Sequence, residues 1–475
     1  MRGKKTPTSM GSKKLAPQLD TRPGGSFEER YAAGKALRDK SPRKSHGAWV
    51  PQRGRPDPID LLIASSEGRL ENLVPIRYGR MLQSPFTFFR GAAAIMASDL
   101  STTPVSGLVV QACGDCHLLN FGGFATPERR LIGDINDFDE TLPGPWEWDL
   151  KRLAASFVIA GRNNGCDKVE CREMALAVSE TYREQMTLLG TWRAIDIWYE
   201  RMDFEQLVQQ VKDKKMRKLH LGLIEKARAR SVPEHDFPKL TEKIEGRHRI
   251  KDDPPLVYHP EAASERIVSR RFLKAVADYR DSLPEDRRVL FDRYTIQDMA
   301  LKVVGVGSVG TRCAMVLLMA NDGDPLFLQV KEARVAVFEP YVGRSPYANR
   351  GQRVVVGQRI MQSASDLLLG WAIDEEGNHF YVRQLRDMKV KPMVEVMRAP
   401  NLVNYGKLCA QALSRAHARS GDAVRLAGYM GKSGAFDEGI ADFSIAYADQ
   451  NEKDHEALKR AVRDGKVEAV FEGTT

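Results

Sequence analysis

An aspartate and an asparagine stand five residues apart in the stretch CGDCHLLNFG, residues 113–122. Transfer of a phosphoryl group needs a carboxylate that orients the acceptor hydroxyl and accepts its proton, and an amide oxygen that reaches a magnesium ion. The spacing D-x-x-x-x-N lets one tight loop present both groups, here Asp115 and Asn120, to the same cleft. The cysteines on either side of Asp115 raise a second possibility, a redox or zinc Cys-x-x-Cys motif.

The zinc and redox interpretations need features that the sequence does not offer clearly. Zinc at Cys113 and Cys116 requires two further ligands, and the other closely spaced pair, Cys166 and Cys171, stands in a helical pattern. A thioredoxin-like motif lies at a strand-to-helix turn, whereas strands are predicted on both sides of this one. We therefore expect these cysteines to pack and the aspartate and asparagine to do the chemistry.

A group of acids follows an apolar strand in RRLIGDINDFDE. Asp137, Asp139 and Glu140 are hard oxygen ligands, which suit Mg²⁺ bound together with nucleotide phosphates. The next helix is predicted to begin in WEWDLKRL, after the stop signal LPGP, and it contains Asp149. The alternative role for Asp149 is that of a helix-start residue stabilised by the helix dipole.

A glycine-rich stretch, GVGSVG, spans residues 305–310, and Lys331 follows in the apolar segment LFLQVKEA. In a dinucleotide-binding interpretation, TRCAMVLLMA (311–320) would be a helix and Glu332 the ribose ligand. In the other interpretation Gly305, Gly307, Ser308 and Gly310 form a hairpin over ATP, 311–320 is the returning strand, and Lys331 contacts the phosphates. The absence of visible βαβ units favours the hairpin.

Taken in chain order, G-D-x-x-x-x-N, an apolar strand, D-F-D and W-D-L-x-R-L resemble the catalytic half of aminoglycoside phosphotransferases and other protein-kinase-like enzymes. The resemblance implies that Asp115 is the catalytic base, that Asn120 and Asp137 hold magnesium, and that Asp149 braces the catalytic loop. It makes Asp139 and Glu140 second-choice ligands, and it implies ATP and Mg²⁺ as cofactors. One departure is that Cys113 stands where such enzymes commonly have a histidine.

The predicted fold class is α+β, a two-lobed protein-kinase-like fold that is circularly permuted, because the catalytic loop precedes the Gly-rich lobe by about 190 residues. We divide the chain into a basic disordered tail (1–55), a mostly helical catalytic lobe (56–290), a Gly-rich β lobe (291–395) and a helical segment (396–475). The β lobe should contain one helix, 352–371, whose nearest acid for pairing with Lys331 is Asp366. His417, Arg419 and Asp422 either lie near the cleft or cap a helix.

The basic charge of the chain is concentrated at its start. Residues 1–55 hold 14 Lys and Arg against 4 Asp and Glu, so the rest carries about −1 of the total charge of +9. We expect a solvated tail, with nonspecific contact to nucleic acid or an acidic surface as the alternative. No apolar h-region follows the charged N-terminus, and AMVLLMA is too short to cross a bilayer, which predicts a cytoplasmic protein with no membrane partner.

Long strings of the chain, among them RYGRMLQSPFTFFRGAA, NDFDETLPGPWEWDLKRLAAS and KVVGVGSVGTRC, resemble a bacterial family known as domain of unknown function 2252. That family name implies no activity, so the functional prediction comes from the motifs. It is an ATP- and Mg²⁺-dependent phosphotransferase acting on an unknown hydroxyl acceptor, either a small molecule or a protein. Transfer of AMP, a dinucleotide-dependent oxidoreductase and a non-catalytic nucleotide-binding protein stay open, as does Arg90 as an anion contact or a structural residue.

Overall fold

The computed structural model describes residues 14–20, 22, 24–209, 214–228, 237–254, 256–259, 270–303, 305–321, 323–385 and 388–471. Its helices are α1 Phe27–Ala36, α2 Pro58–Ser66, α3 Val74–Leu82, α4 Pro85–Gly91, α5 Ala93–Leu100, α6 Trp146–Asn163, α7 Lys168–Leu189, α8 Ala194–Tyr199, α9 Phe204–Gln209, α10 Lys214–Arg228, α11 Phe237–Leu240, α12 Arg270–Ser282, α13 Glu285–Phe291, α14 Glu339–Val342, α15 Arg350–Met361, α16 Ala399–Ala418, α17 Ala423–Met430 and α18 Ala435–Arg463. Its strands are β1 Val109–Ala112, β2 Phe121–Ala125, β3 Leu131–Ile135, β4 Leu142–Pro145, β5 Thr241–Ile244, β6 Arg247–Ile250, β7 Val257–Tyr258, β8 Thr295–Lys302, β9 Cys313–Met319, β10 Pro325–Glu332, β11 Gly370–Ile373 and β12 His379–Gln384. The α+β class is therefore correct.

The long helices form one apolar core. Helix α7 packs against α6 and α16, and α18 crosses both α6 and α7. Helix α6 is buried along almost its whole length, from Trp146 to Gly161, and even its charged side chains Glu147, Asp149, Lys151 and Arg152 lie inside the protein. Within the residues that the structure describes, no helix combines the length and the apolarity that crossing a bilayer requires.

The second half of the chain builds a six-stranded antiparallel sheet in the order β11-β12-β10-β9-β8-β7. Strand β9 is buried at every position because apolar groups cover both faces of the sheet. On one face Tyr279 and Phe291 from α12 and α13 pack against Val316 and Leu318. The sequence NDGD predicts a turn after β9, and the Asp324 amide donates to the Asn321 carbonyl at 3.1 Å.

Two short hairpins connect the helical part to this sheet. Strand β2 pairs with β3, and β1 pairs with β4, so the segment 109–145 that carries the predicted catalytic loop is extended and folded back on itself. The segment 231–258, which contains DFPKL and DDPPL, is predicted to be a charged connection, and its described part contains a hairpin of β5 and β6. Helix α15 lies against β11 and β12.

The prediction of a disordered tail over 1–55 is wrong for the residues from Ser26 onward. Helix α1 begins with a Ser26–Glu29 capping box and packs against α17, where Arg30 binds Asp422 at 2.5 Å. Arg55 pairs with Asp99 and Asp454 at 2.7 and 2.6 Å. These ion pairs, together with Trp49, which packs against Phe443 and Tyr447 in the core, hold a segment that has few large apolar residues. Residues 1–13 lie outside the described part of the chain.

Two predicted element boundaries also need correction. The helix predicted over 352–371 ends at Met361, and Gly370–Ile373 is a strand instead. The Asp366 carboxylate accepts the Leu368 and Gln384 amides, which fixes a loop between helix and strand. The sequence SPFTFFRGAAAIMASDL (84–100) predicts an extended entry followed by an apolar helix. The entry is itself helical, because Ser84 caps α4 with Pro85 at its first position.

Candidate active site

A cleft of about 940 Å³ lies where the helical part meets the sheet. Residues from both halves of the chain line it. The predicted site residues among them are Asp115, Asn120, Asp137, Asp139, Glu140, Gly305, Gly307, Ser308 and Lys331. Gly310 does not line the cleft; it lies against Arg69 and Leu70, and its φ of +84° suits the glycine at the end of the turn.

A side chain of helix α6 fixes the loop after β1. The Asp149 carboxylate accepts the backbone amides of Cys113 at 2.5 Å and Gly114 at 3.0 Å, so it binds the two residues before Asp115. Gly114 has φ of +85°, and a Cβ there would lie 2.2 Å from the Glu140 carbonyl oxygen, which only glycine tolerates. The position of Asp149 matches the brace that the sequence predicted.

Asp115 and Asn120 face the cleft from one loop. The amide nitrogen of Asn120 donates to the Asp115 carbonyl at 2.6 Å, which leaves the amide oxygen as its acceptor group. The guanidinium of Arg152, one turn after Asp149 on α6, binds the Asp115 carboxylate at 2.5 Å. Burial raises the pKa of Asp115, and the charge of Arg152 opposes that rise.

The acidic loop after β3 meets Lys331 across the cleft. The ammonium of Lys331 lies 2.6 Å from Asp139, whose carboxylate also accepts the Tyr381 hydroxyl and, at 3.3 Å, the Ser308 hydroxyl. Burial alone would raise the pKa of Asp139, but Lys331 lowers it below its usual value. Asp137 differs, because burial and the nearby Asp139 charge raise its pKa. Asp139 is therefore engaged with protein groups, and Asp137 is the carboxylate left to face the cleft.

The partner of Lys331 does not come from the helix after its strand. Helix α15 contributes Arg353 instead, which donates to the carbonyl oxygens of Thr141 at 2.6 Å and Asp139 at 2.8 Å. Asp366, the one acid that the sequence offered, lies in the loop after α15. The acidic loop is held further by Glu140, whose carboxylate accepts the Val337 amide at 2.8 Å and whose pKa burial raises to about 7.

The glycine-rich turn joins two antiparallel strands. Strand β8 pairs with β9, so residues 313–319 return as a strand and do not form the helix that a dinucleotide-binding motif would require. A Cβ on Gly305 would meet nothing within 4 Å, and one on Gly307 would meet the Arg90 carbonyl oxygen at 3.5 Å. The beginning of the turn is thus open to the cleft.

The six cysteines are free thiols, and Cys113 and Cys116 are buried. In the part of the chain that the structure describes, no three His, Cys, Asp or Glu side chains form a metal-ligand group, which leaves the zinc interpretation without support. The Cys113 thiol donates to the Asp137 carbonyl at 3.3 Å. An imidazole is nevertheless near this loop, because His417 of α16 contacts Asp149 at 3.2 Å and the Tyr182 hydroxyl at 2.8 Å.

His417, Arg419 and Asp422 do not line the cleft. His417 is fully buried and contacts Asp149, which holds the loop that carries Asp115. Arg419 stacks 4.2 Å over the Trp198 ring, and Asp422 caps α17. The capping alternative is therefore correct for Asp422. Arg90 does line the cleft, and its Nε is buried without a hydrogen-bond partner among the described residues.

Sequence reasoning missed several residues that shape the site. Arg152 stands in the same WEWDLKRL motif as Asp149, three residues on, and this helical spacing was the signal that could have found it. Tyr381 and Arg383 stand two residues apart on β12, so they lie on the same face of the sheet. The Tyr381 ring lies 5.3 Å from the Lys331 ammonium and 5.9 Å from the Arg383 guanidinium, and the Tyr381 hydroxyl donates to Asp139. Lys389 follows in RDMKVKP, where Arg383 and burial lower its pKa to about 7.

Comparison with known proteins gives a family and no activity. A family model described as an uncharacterized protein conserved in bacteria (DUF2252) matches residues 69–461. No curated protein and no solved structure matches the chain.

Proposed function

The chain belongs to the DUF2252 family, whose description carries no activity, and from its site we propose an ATP- and Mg²⁺-dependent phosphotransferase with a two-lobed, circularly permuted kinase-like fold. The observation that carries this proposal is a convergence. Two sets of residues, one around Asp115 and one around Lys331, are 216 positions apart in the chain and line the same cleft. Chance motifs in unrelated parts of a chain have no reason to meet in this way.

The order of elements around Lys331 supports the same proposal. Strand β8 enters the glycine-rich turn, β9 returns, and β10 carries Lys331 as the third strand. The short helix α14 and then helix α15 follow. Kinases place their glycine-rich loop, phosphate-binding lysine and following helix in this order. Here an acid of the NDFDE loop takes the role of the helix glutamate, because Asp139 binds Lys331.

The donor set suits magnesium bound with nucleotide phosphates. Mg²⁺ uses one or two carboxylates and completes its shell with water and phosphate oxygens, so a preformed cage of three acids is not needed. Asp137 and the Asn120 amide oxygen would hold it, and the open turn at Gly305 and Gly307 with Lys331 would hold the phosphates. Magnesium would neutralise the charge that develops on the transferred group.

The residues around Asp115 define the chemistry of the acceptor. A hydroxyl oxygen forms the new bond to the γ-phosphorus as the bond from that phosphorus to the bridging oxygen of ADP breaks, and the hydroxyl proton passes to Asp115 and then to solvent. Arg152 and the Asn120 bond to the Asp115 backbone hold this carboxylate in place.

The first test is binding of ATP. In a thermal-shift panel we expect ATP to raise the melting temperature only when Mg²⁺ is present, and Asp137→Ala to abolish that magnesium-dependent part. Asp281→Ala is the control, because the Asp281 carboxylate is exposed and lies outside the cleft. A shift by NAD or NADP with none by ATP would contradict the proposal.

The second test is turnover of ATP. Asp115→Asn should lower single-turnover consumption of ATP by roughly 10²–10⁴-fold, the usual contribution of a general base, while the magnesium-dependent thermal shift persists. The released product is measured at the same time, because ADP indicates phosphoryl transfer and pyrophosphate indicates transfer of AMP. Unchanged turnover in the variant would mean that Asp115 is not the base.

A further inference from the structure

A histidine lines the cleft two residues after Asp115. His117 stands in the stretch CGDCHLLNFG, and its ring is part of the cleft wall. The ring nitrogen Nδ1 accepts the Leu119 amide at 3.2 Å, so the side chain caps the short helical turn Leu118–Asn120. The backbone of the same turn is closed by the Asn120 amide, which donates to the His117 carbonyl at 2.8 Å. The ring is therefore held in one orientation.

The capping bond also fixes which ring nitrogen carries the hydrogen. Nδ1 uses its lone pair to accept an amide, so it has no hydrogen of its own, and the neutral ring carries its hydrogen on Nε2. Burial, together with the charges of Arg152 and Arg90, lowers the pKa of His117, which agrees with a neutral ring. Among the described residues Nε2 has no hydrogen-bond partner, and it lies on the side of the ring that faces Asp115. His117 thus presents one N–H donor to the cleft.

The two carboxylate oxygens of Asp115 are in different situations. Arg152 binds Oδ1 at 2.5 Å. In the described part of the chain Oδ2 has no hydrogen-bond partner, and it lies 3.9 Å from His117 Nε2. This separation is too long for a direct hydrogen bond. It is spanned by one oxygen atom that lies about 2.8–2.9 Å from each of them, with its two hydrogen bonds at roughly a right angle.

We propose that the oxygen of the acceptor hydroxyl binds in this gap, where it accepts the hydrogen of His117 Nε2 and donates its own hydrogen to Asp115 Oδ2. This inference rests on the proposed function and adds a catalytic residue to it. The gap also selects the chemical class of the acceptor. An ammonium group has no lone pair for Nε2, and a carboxylate has no hydrogen for Oδ2 and is repelled by it. An uncharged hydroxyl, of water or of an alcohol, satisfies both groups.

The two hydrogen bonds orient the attacking oxygen. One lone pair accepts from His117 and the hydrogen points to Asp115, so the other lone pair is left to face the γ-phosphorus. The oxygen forms its bond to that phosphorus as the bond from the phosphorus to the bridging oxygen of ADP breaks, and the hydroxyl proton passes to Asp115 Oδ2. His117 keeps its hydrogen throughout, so it acts as a fixed donor and not as a base.

Water can occupy the gap as an acceptor, so single-turnover hydrolysis of MgATP by the full-length chain tests the inference. His117→Asn retains a side-chain oxygen that can cap the turn, but the side chain is too short to place a donor at the position of Nε2. We expect the variant to hydrolyse ATP at least roughly tenfold more slowly, because one oriented donor at a reacting oxygen is lost. Its urea midpoint of unfolding should match that of the wild type, and its affinity for MgATP should stay within twofold.

A double variant separates a shared oxygen from a structural effect. Two groups that hold the same oxygen lose most of their value without each other. Adding His117→Asn to Asp115→Asn should therefore slow hydrolysis by less than about threefold. Penalties that multiply in the double variant would place His117 on a different atom and overturn the inference.

The matched control is His379→Asn. Nδ1 of His379 also accepts a backbone amide, that of Arg350 at 3.1 Å, but this residue lies outside the cleft, so neither the rate nor the affinity should change. Wild-type turnover in His117→Asn would mean that the ring only caps its turn, and the inference would fail while the proposed function stood. If the wild-type chain consumes no ATP, the proposed function fails and the inference fails with it.

Discussion

The two loops that face each other across the cleft are held in opposite ways. The loop at 113–122, which we term the Asp115 loop, is fixed by two helices: Asp149 and Ser156 of α6 accept its amides, and the Tyr405 hydroxyl of α16 donates to the Leu118 carbonyl at 2.7 Å. The glycine-rich turn at 305–310 is anchored near its end, where the Leu70 amide donates to the Gly310 carbonyl. Its first glycines are exposed.

In the proposed phosphotransferase the two loops would have different tasks. A base that accepts a proton has to lie within hydrogen-bond distance of one oxygen, so displacement by an ångström costs rate. A turn that covers phosphates uses backbone amides, and it has to admit and release a nucleotide. Rigid support of the first loop and openness of the second are what these tasks require.

Among the substitutions that test the difference between the two loops, we expect the largest loss of unfolding free energy from a substitution of Asp149. Asp149→Ala leaves the buried Cys113 and Gly114 amides without their acceptor, which should lower the free energy of unfolding by about 3 kcal/mol in urea titrations. Asp167→Ala is the matched control, because Asp167 also accepts two backbone amides but lies at an exposed helix start, where the loss is about 1 kcal/mol. Equal losses would mean that Asp149 is an ordinary helix-start residue and not a brace.

The glycines of the two loops give a sharper comparison. Gly114→Ala forces a Cβ to within 2.2 Å of the Glu140 carbonyl at φ of +85°, and it should destabilise the fold by roughly 2–3 kcal/mol. Gly307→Ala meets only an ordinary contact and should change the free energy of unfolding by less than about 0.5 kcal/mol. We expect the ATP-induced thermal shift to shrink in Gly307→Ala, because the new methyl group enters the phosphate side of the cleft. If the Gly307→Ala protein bound ATP normally, the turn would not be part of the ATP site.

Local patterns predicted most of the elements and the members of the cleft. The run CAMVLLM is a buried strand because both sheet faces are covered, and WEWDLKRLAAS is a helix buried on all sides. What the sequence could not provide were partners far apart in the chain. Lys331 binds Asp139, which lies 192 residues earlier, and no helical or strand periodicity encodes such a pairing.

The same reason explains the errors. Few large apolar residues stand in segment 26–55, which predicts disorder, yet Arg30 and Arg55 bind the acids Asp422, Asp99 and Asp454 and so anchor it to the helices. The end of α15 was misplaced because Asp366 binds an amide of β12, a contact that exists only after the sheet has formed. Interactions of charged residues with distant partners overrode local propensity in both places.

Two serines test the contrast at its smallest scale. The Ser156 hydroxyl is fully buried and accepts the Leu118 amide of the Asp115 loop at 3.0 Å, so Ser156→Ala should cost about 1–2 kcal/mol of unfolding free energy. Ser308 is half-buried and donates to Asp139 at 3.3 Å, a carboxylate that Lys331 and Tyr381 already satisfy. Ser308→Ala should therefore cost less than about 0.5 kcal/mol in the same urea titration. If Ser308→Ala were the more destabilising of the two, the glycine-rich turn would be held as firmly as the Asp115 loop, and the openness assigned to it would be wrong.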